Sequence, residues 1–163
     1  MTKPIRVLFV CLGNICRSPL AQGIFEEAVR THGLEALIEV DSAGTAHYHV
    51  GERPDRRAVA AARDQGIDIS HLRGRQLTDE DLDYYDYILA MDRQNLKDIH
   101  ALEKGRAAAR AQIELLLTYH PDPKLADVPD PYYGSDDGFN EVFDLIETAC
   151  HGFLESLDME RGA

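Results

Sequence analysis

The sequence predicts an α/β fold: a single domain over residues 1–163, with about four parallel strands and helices on both faces of the sheet. Short apolar runs rich in β-branched residues alternate along the chain with segments whose apolar residues recur every three or four positions. The first apolar run leads directly into a glycine-containing loop and a Ser-Pro pair, which favours a helix start. Strand, loop and helix in this order predict an anion-binding loop after the first strand.

The N-terminal part predicts a strand–helix–strand unit. The first strand is expected over Ile5–Val10, and the helix is expected to begin with Ser18 as its cap and Pro19 in its first turn. A second short strand is predicted over Leu37–Val40, leading into Asp41–Gly44. A unit of this length implies a right-handed parallel crossover. The apolar stripe of the helix comprises Leu20, Ala21, Ile24, Phe25, Ala28 and Val29.

The middle of the chain predicts two helices, a strand and a further helix. A helix is expected from about Asp55, and Thr78–Asp81 caps a short second one. The third strand is predicted over Tyr85–Met91. Asp92 then caps a helix over Arg93–His100.

The C-terminal part predicts the last strand and the longest helix. A helix is expected over Ala107–Gln112 and the fourth strand over Ile113–Leu117. The segment His120–Pro131 is rich in Pro and Asp, and loops of that length in compact domains are usually functional. The final helix has an apolar stripe of Phe139, Val142, Phe143, Ile146, Ala149, Cys150, Phe153, Leu154 and Leu157.

Composition argues against several classes of function. A net charge of −12 argues against a nucleic-acid partner, because binding a polyphosphate requires a broad basic face. No apolar run is long enough for a signal peptide or a membrane span, so we expect neither targeting nor membrane insertion. Three cysteines in no repeating framework predict a reducing compartment, hence a cytoplasmic protein.

No metal ion or other cofactor is predicted. His47 and His49 flank Tyr48 in a loop, but no cysteine or third histidine follows at ligand spacing. Tyr48 is the more informative residue, because an exposed aromatic ring beside an anion pocket can stack on a phenyl ring. The Gly-x4-Gly-Lys-Ser/Thr motif of nucleotide-binding loops does not occur.

The loop after the first strand carries the candidate chemistry. Cys11 lies at its start and Arg17 at its end, and Gly13 and Asn14 between them tolerate left-handed geometry. A thiol that faces a helix N-terminus beside a guanidinium is favoured as the thiolate. Arginine also matches two phosphate oxygens with a planar fork of donors. A thiolate under a bound phosphate ester is placed for in-line attack at phosphorus.

These residues resemble those of the low-molecular-weight protein tyrosine phosphatases. The likeness rests on Cys11–Pro19, Asp41–Gly44, Ala90–Asp92 and Asp130–Gly134, so it spans nearly the whole chain in the family's order. The resemblance implies a single phosphatase domain that hydrolyses phosphotyrosine through a cysteinyl-phosphate. It implies Cys11 as nucleophile, with Ser18 donating a hydrogen bond to its sulfur. The implied substrate-binding loop comprises Leu12, Gly13, Asn14, Ile15, Cys16, Arg17 and Ser18.

The resemblance also selects Asp130 as the general acid and base. The residues alone leave Asp122, Asp127 and Asp136 equally open, since all lie in the same acidic region. Tyr132 and the neighbouring tyrosine are expected to wall the cleft.

Further roles are implied by the family for the second cysteine and for the exposed tyrosines. Cys16 is at the position of a residue that can form a disulfide with the nucleophile and so protect it. Tyr132 and Tyr133 can themselves be phosphorylated, which would make a tyrosine kinase a partner beside the phosphotyrosine-bearing substrate. We expect a monomer, with weak self-association left open.

Three supporting residues complete the predicted site. Ser42 and Asp92 are each expected just past the end of a strand, at the same sheet edge as Cys11. Counted from Gly66, His71 is at the position of a family histidine close to the phosphate loop, where it would contact Asn14. Counted back from the Arg-Gln pair that follows, it is one residue out of place.

Two other functions are alternatives to hydrolysis. Thiol-dependent arsenate reductases resemble this fold and share the Cys-x5-Arg-Ser loop, but they relay electrons through two further cysteines near mid-chain. No cysteine lies between Cys16 and Cys150 here, which disfavours that chemistry. A non-catalytic phosphate-binding module would be expected to lack the nucleophile, the arginine or the acid, and all three are present.

Overall fold

The computed structural model describes residues 3–134 and 137–162. The four strands form one parallel sheet in the order β2-β1-β3-β4, which confirms the predicted fold class. No helix in the described ranges is long and apolar enough to cross a membrane. The elements in chain order are β1 (Ile5–Cys11), α1 (Arg17–Thr31), β2 (Ile38–Gly44), α2 (Arg56–Asp64), α3 (Asp81–Tyr84), β3 (Tyr87–Ala90), α4 (Arg93–Ala101), β4 (Gln112–Leu115), a 3₁₀ helix (Leu116–Tyr119) and α5 (Asp137–Gly162).

Alternate residues of β1 enter two separate hydrophobic cores. Val7 and Phe9 belong to the larger core, which also contains the buried faces of α1, α2 and α5. Leu8 and Val10 belong to the smaller one, with Leu82 of α3 and residues of α4. Successive strand residues point to opposite faces, so a strand buried on both sides is apolar throughout. The prediction of helices on both faces is confirmed.

The site is positioned by a reversal of strand order. β1 pairs with β2 along one edge and with β3 along the other, so the chain changes direction across the sheet at β1. In sheets of this kind, ligands bind in the crevice beyond the carboxyl ends of the strands at such a point. Cys11 is the last residue of β1 and therefore lies in that crevice.

Several element boundaries differ from the predicted ones. β2 includes Asp41–Gly44, because its parallel pairing with β1 continues to the register Cys11↔Gly44. Ser42 is thus inside a strand, so the prediction that it lies just past a strand end was wrong, whereas Asp92 follows the end of β3 by two residues, as predicted. β4 ends at Leu115 and gives way to the 3₁₀ helix.

The helix predicted over residues 107–112 is absent. The segment is irregular up to the start of β4, because contacts with distant segments hold it. The amide of Ala109 donates to Glu103, the amide of Ala111 donates to the carbonyl of Leu82, and Arg106 donates to the carbonyl of Asp79. Tertiary contacts here override the helix propensity of the alanines.

Candidate active site

The sulfur of Cys11 is buried and faces two hydrogen-bond donors. The backbone N–H of Asn14 donates to it at 3.3 Å, and Ser18 Oγ lies 3.0 Å away. Ser18 Oγ accepts a hydrogen bond from Asn14 Nδ2 at 2.7 Å, so its own proton is left to point at the sulfur. Both groups therefore stabilise a thiolate.

Ser18 does not cap α1, contrary to the prediction. The helix begins two residues earlier than predicted, at Arg17, with Cys16 at the N-cap and no side-chain hydrogen bond to the first turn. The hydroxyl that would have capped the helix is used by Cys11 and Asn14 instead.

Asn14 holds the loop in shape. Its φ of 58° is in the left-handed region, which few residues other than glycine adopt without strain. Its side chain donates to Ser18 at 2.7 Å and to Ser42 at 3.1 Å, and accepts from the backbone N–H of Arg75 at 3.0 Å. Gly13 does not share this conformation, but a Cβ there would lie only 3.1 Å from the His49 ring.

The carbonyl groups of the loop are fixed by neighbouring segments. Leu12 accepts from the N–H of Ala46 at 3.0 Å, and Ile15 accepts from the N–H of Asp55 at 2.7 Å. Unpaired N–H groups on consecutive loop residues form a concavity for an anion. Within the residues that the structure describes, no hydrogen bond is donated by the backbone N–H groups of Leu12, Gly13, Ile15 and Cys16.

Arg17 closes the loop, and its side chain is almost fully buried. Nη1 donates to Asp92 at 2.7 Å and to the carbonyl of Val128 at 2.9 Å, while Nη2 lies 3.6 Å from Asp130 Oδ2. Burial works against the charge, but Cys11 and the two carboxylates outweigh it and raise the pKa of Arg17. Both hydrogen bonds use Nη1, so the Nε–Nη2 edge is not engaged by them and can meet phosphate oxygens.

Asp92 links the arginine to α4. While Oδ2 binds Arg17, Oδ1 accepts from the backbone N–H of Asn95 at 2.7 Å. The predicted capping role of Asp92 is confirmed, and the same carboxylate orients the guanidinium.

The rim of the cavity is formed by exposed aromatic side chains. Tyr48 is 67% exposed, Tyr132 38% and Tyr133 90%, and the carboxylate of Asp130 is about one-third exposed. The structure thus brings Asp130 and the three tyrosines to the mouth of the loop. The residues lining the cavity are Cys11, Leu12, Gly13, Ile15, Cys16, Arg17, Tyr48, His49, Asp130, Tyr132 and Tyr133.

Two site residues were missed from the sequence. His49 lines the cavity beside Gly13, with its ring centroid 6.3 Å from that of Tyr132, whereas the sequence had presented it only as a metal-ligand candidate. Gln22 accepts a hydrogen bond from Ser42 at 2.7 Å and so fixes the hydroxyl beside Asn14. In the sequence, only the position of His49 next to Tyr48 indicated that it lies near the cavity.

His71 does not support the loop. Its side chain is exposed, and the hydrogen bonds of Asn14 go to Ser18, Ser42 and Arg75. The predicted contact between His71 and Asn14 is therefore not formed.

The alternative acids are placed less well than Asp130. Asp122 is exposed and accepts from the amide of Lys124, and Asp127 is paired with Arg93 at 2.9 Å. Hydrogen bonds from Arg93 lower the pKa of Asp127, which disfavours its acid form. Neither lines the cavity, and Asp136 lies outside the described residues.

The remaining two cysteines are free thiols. Burial raises the pKa of Cys16, with further contributions from Asp55 and Cys11, and burial also raises the pKa of Cys150. Both therefore remain protonated at neutral pH.

A buried sulfur, unpaired loop amides and a fixed guanidinium at the strand-order reversal form a pocket that fits a phosphate group beside a thiol, as in the class of cysteine-dependent phosphatases. Sequence comparison identifies the particular family. A model described as low molecular weight phosphotyrosine protein phosphatase matches residues 6–163, and the chain belongs to that family. It is therefore a protein-tyrosine-phosphatase, of a family that acts on phosphoproteins through a cysteine nucleophile.

Individual relatives cover nearly the whole chain. The Bacillus subtilis low molecular weight protein-tyrosine-phosphatase YfkJ is 43% identical over 96% of this chain and 98% of its own. The human low molecular weight phosphotyrosine protein phosphatase is 43% identical over 91% and 93%. The crystal structure of YfkJ superposes with a TM-score of 0.89 over 98% of each chain at 42% identity. That of a Drosophila arginine phosphatase superposes with a TM-score of 0.88 at 32% identity, over 94% of this chain and 98% of its own.

Proposed function

We propose that this chain hydrolyses phosphotyrosine in protein substrates with Cys11 as nucleophile, Arg17 as phosphate ligand and Asp130 as general acid and base. The observation that supports the proposal is the position of the Cys11 sulfur, which has two donors behind it and unpaired loop amides around it. The cavity that these groups form also contains the guanidinium and the carboxylate.

In the first step, the Cys11 sulfur attacks phosphorus and the bond from phosphorus to the tyrosine oxygen breaks. The proton of the Asp130 carboxyl passes to the departing oxygen, so that tyrosine leaves as the neutral phenol. Arg17 and the loop amides hold the three non-bridging oxygens, where charge accumulates in the transition state.

In the second step, a water molecule attacks the phosphorus of the cysteinyl-phosphate. Asp130, now ionised, takes a proton from that water, and the sulfur leaves as the thiolate. Phosphate is released, and both Asp130 and Cys11 return to their starting protonation states. The Asp130 side chain is about one-third exposed to solvent, which suits an acid that must reach first a leaving group and then water.

The aromatic rim supports an aryl leaving group. Tyr48 and Tyr132 project at the mouth of the loop, where they can stack against the phenyl ring of phosphotyrosine. The same proposal includes a cytoplasmic location, a monomeric state with weak self-association left open, and a tyrosine kinase that phosphorylates Tyr132 or Tyr133. It also includes a Cys11–Cys16 disulfide under oxidation, because both thiols are free and line one cavity.

The proposal is tested by offering the protein three peptides that differ only in the phosphorylated residue: phosphotyrosine, phosphoserine and phosphoarginine. Assays contain a chelator and a thiol reductant, and quenched reactions are searched by mass spectrometry for a phosphorylated Cys11. We expect turnover of the phosphotyrosine peptide with a transient adduct on Cys11. Selective turnover of the phosphoarginine peptide would show that the substrate is phosphoarginine, as the name of the Drosophila relative indicates for that protein, rather than phosphotyrosine. An adduct elsewhere would refute the assigned nucleophile.

A further inference from the structure

A second cavity, of about 560 Å³, lies between α2 and the start of α5. Four arginines line it, although the whole chain has only 17 lysines and arginines against 29 acidic residues. Asp64 is the one carboxylate that lines it within the described residues. We call this cavity the arginine cavity; its four arginines are Arg53, Arg56, Arg57 and Arg63.

The guanidinium groups of Arg53, Arg56 and Arg63 are available to a ligand, whereas that of Arg57 is paired with Asp55. The side chains of the first three are exposed and form no ion pair or hydrogen bond in the part of the chain that the structure describes. The pattern elsewhere is different. Arg6 and Arg73 donate to backbone carbonyls. Carboxylates pair with Arg17, Arg30, Arg75, Arg93, Arg106 and Arg110. In a strongly acidic protein, three unpaired guanidiniums around one cavity attract an anion from outside the chain.

The arginine cavity is connected to the catalytic cavity through three hydrogen bonds. Arg57 donates to the carbonyl of Tyr132 at 2.9 Å and to that of Gly134 at 3.1 Å, which ties α2 to the segment that carries the rim tyrosines. On the other side, the amide of Asp55 donates to the carbonyl of Ile15 in the phosphate loop at 2.7 Å. The arginine cavity therefore lies beside the segment that carries the rim tyrosines of the catalytic cavity.

We propose that the arginine cavity is a second anion site, which binds a phosphoryl group on another residue of the same substrate chain. This inference rests on the proposed function, because it assumes that phosphotyrosine occupies the phosphate loop. Guanidinium groups match phosphate oxygens with paired donors, and a phosphoryl dianion can engage several arginines at once. The preferred substrate is then a multiply phosphorylated segment rather than one with a lone phosphotyrosine.

The test compares kcat/KM for phosphotyrosine peptides with and without a phosphoserine, in a series that places the phosphoserine at increasing distance on either side. We expect an advantage of about 3- to 10-fold at one favoured spacing, decreasing as salt is raised. The double variant Arg53→Ala/Arg56→Ala should lose that advantage while its turnover of p-nitrophenyl phosphate is unchanged. Lys97→Ala/Lys104→Ala, which removes two exposed positive charges elsewhere, should keep the advantage.

Each outcome has one meaning. Equal kcat/KM for all peptides, with phosphotyrosine turnover intact, would overturn the second site and leave the proposed function standing. Loss of the advantage in both double variants would assign it to net charge and would also overturn the site. Free inorganic phosphate is the remaining probe. If it changes kcat for p-nitrophenyl phosphate, and Arg53→Ala/Arg56→Ala abolishes that change, the cavity binds a free anion rather than the substrate. No turnover of any phosphotyrosine peptide would refute the proposed function itself.

Discussion

The two loops that meet at the catalytic cavity are built in opposite ways. In the phosphate loop, Cys11, Asn14, Arg17 and Ser18 are each at most 3% exposed. The segment from Asp130 to Gly134 lies on the surface, where Tyr133 is 90% exposed. Few hydrogen bonds hold this segment, and some come from outside it, among them the two that Arg57 donates to its carbonyl groups.

The difference reflects what each loop has to do. In-line attack and stabilisation of three phosphoryl oxygens need donors that are already in place. Burial, together with the hydrogen bonds of the loop's side chains and carbonyls, holds the unpaired N–H groups in position. An acid that serves first a leaving group and then water must be reachable, and a rim that contacts a peptide must be open. Substitutions in the two loops should therefore differ in size and in kind.

The largest effect is expected from Cys11→Ser. Because the hydroxyl is a much weaker nucleophile than the thiolate, kcat for phosphotyrosine peptide should fall by at least about 10⁴-fold for every leaving group. Steady-state assays with aryl phosphates of differing leaving-group acidity would measure this. Cys150→Ala is the matched control, since this thiol is fully buried away from the cavity and its loss should leave turnover intact. Retained activity in Cys11→Ser would contradict the assignment.

Asp130→Asn should be the next most damaging, and its effect should depend on the substrate. Loss of the proton donor lowers kcat by about 10²- to 10³-fold for phosphotyrosine, but far less for p-nitrophenyl phosphate, whose leaving group needs no proton. Asp127→Asn serves as the control, because that carboxylate is paired with Arg93 outside the cavity. An equal loss with both substrates would show that Asp130 is structural rather than an acid.

Asn14→Ala tests whether the phosphate loop depends on its hydrogen bonds. Three of them are lost and a residue with a Cβ is kept at positive φ, so the free energy of unfolding should fall by about 2–4 kcal/mol. Urea denaturation would measure this, together with kcat. Asn14→Gly separates the two causes, because it removes the hydrogen bonds but relieves the backbone strain. Equal destabilisation by both variants would mean that strain contributes nothing.

Removal of a rim aromatic should affect substrate binding alone. Tyr48→Ala should raise KM for phosphotyrosine peptide by about 3- to 10-fold, because stacking on the phenyl ring is lost. The free energy of unfolding should change by less than about 0.5 kcal/mol, since the side chain is 67% exposed. A change in stability with KM unaltered would instead make Tyr48 a packing residue.

The smallest effect is expected from the ion pair between Asp55 and Arg57, two residues that each contact one of the two loops. Burial opposes ionisation of Asp55, but hydrogen bonds from Arg57 outweigh it and lower the pKa of Asp55. A lowered pKa in the folded protein stabilises the fold above the unfolded pKa, and this contribution is lost as the pH falls through the folded value. Asp55→Asn should therefore be slightly less stable than wild type at neutral pH, and the difference should shrink in acid. A difference independent of pH would point to lost capping alone.

Much of the site could be predicted from local sequence. The apolar run of β1, the loop composition and the cysteine–arginine spacing indicated where an anion binds, because each depends on neighbours within a few residues. The choice of Asp130 came from the resemblance to the family. The proposed roles of Cys11, Arg17 and Asp130 remain predictions for the experiments above.

Other features depended on residues far apart in the chain. Ser18 would cap a helix on local grounds, but Cys11 and Asn14 compete for its hydroxyl and engage it instead. The alanine-rich segment before β4 would be helical on propensity, but partners in other segments keep it irregular.

The sequence by itself determined the alternation of the four strands with helices and the position of the anion loop, because periodicity and turn chemistry act over a few residues. Only the tertiary structure decided that His49 enters the cavity, that His71 lies away from it, and that four arginines surround a second cavity. Those placements result from the packing of α2 against α1 and α5 and from the hydrogen bonds between its two flanking loops. Contacts between segments more than ten residues apart leave no periodic trace in the chain.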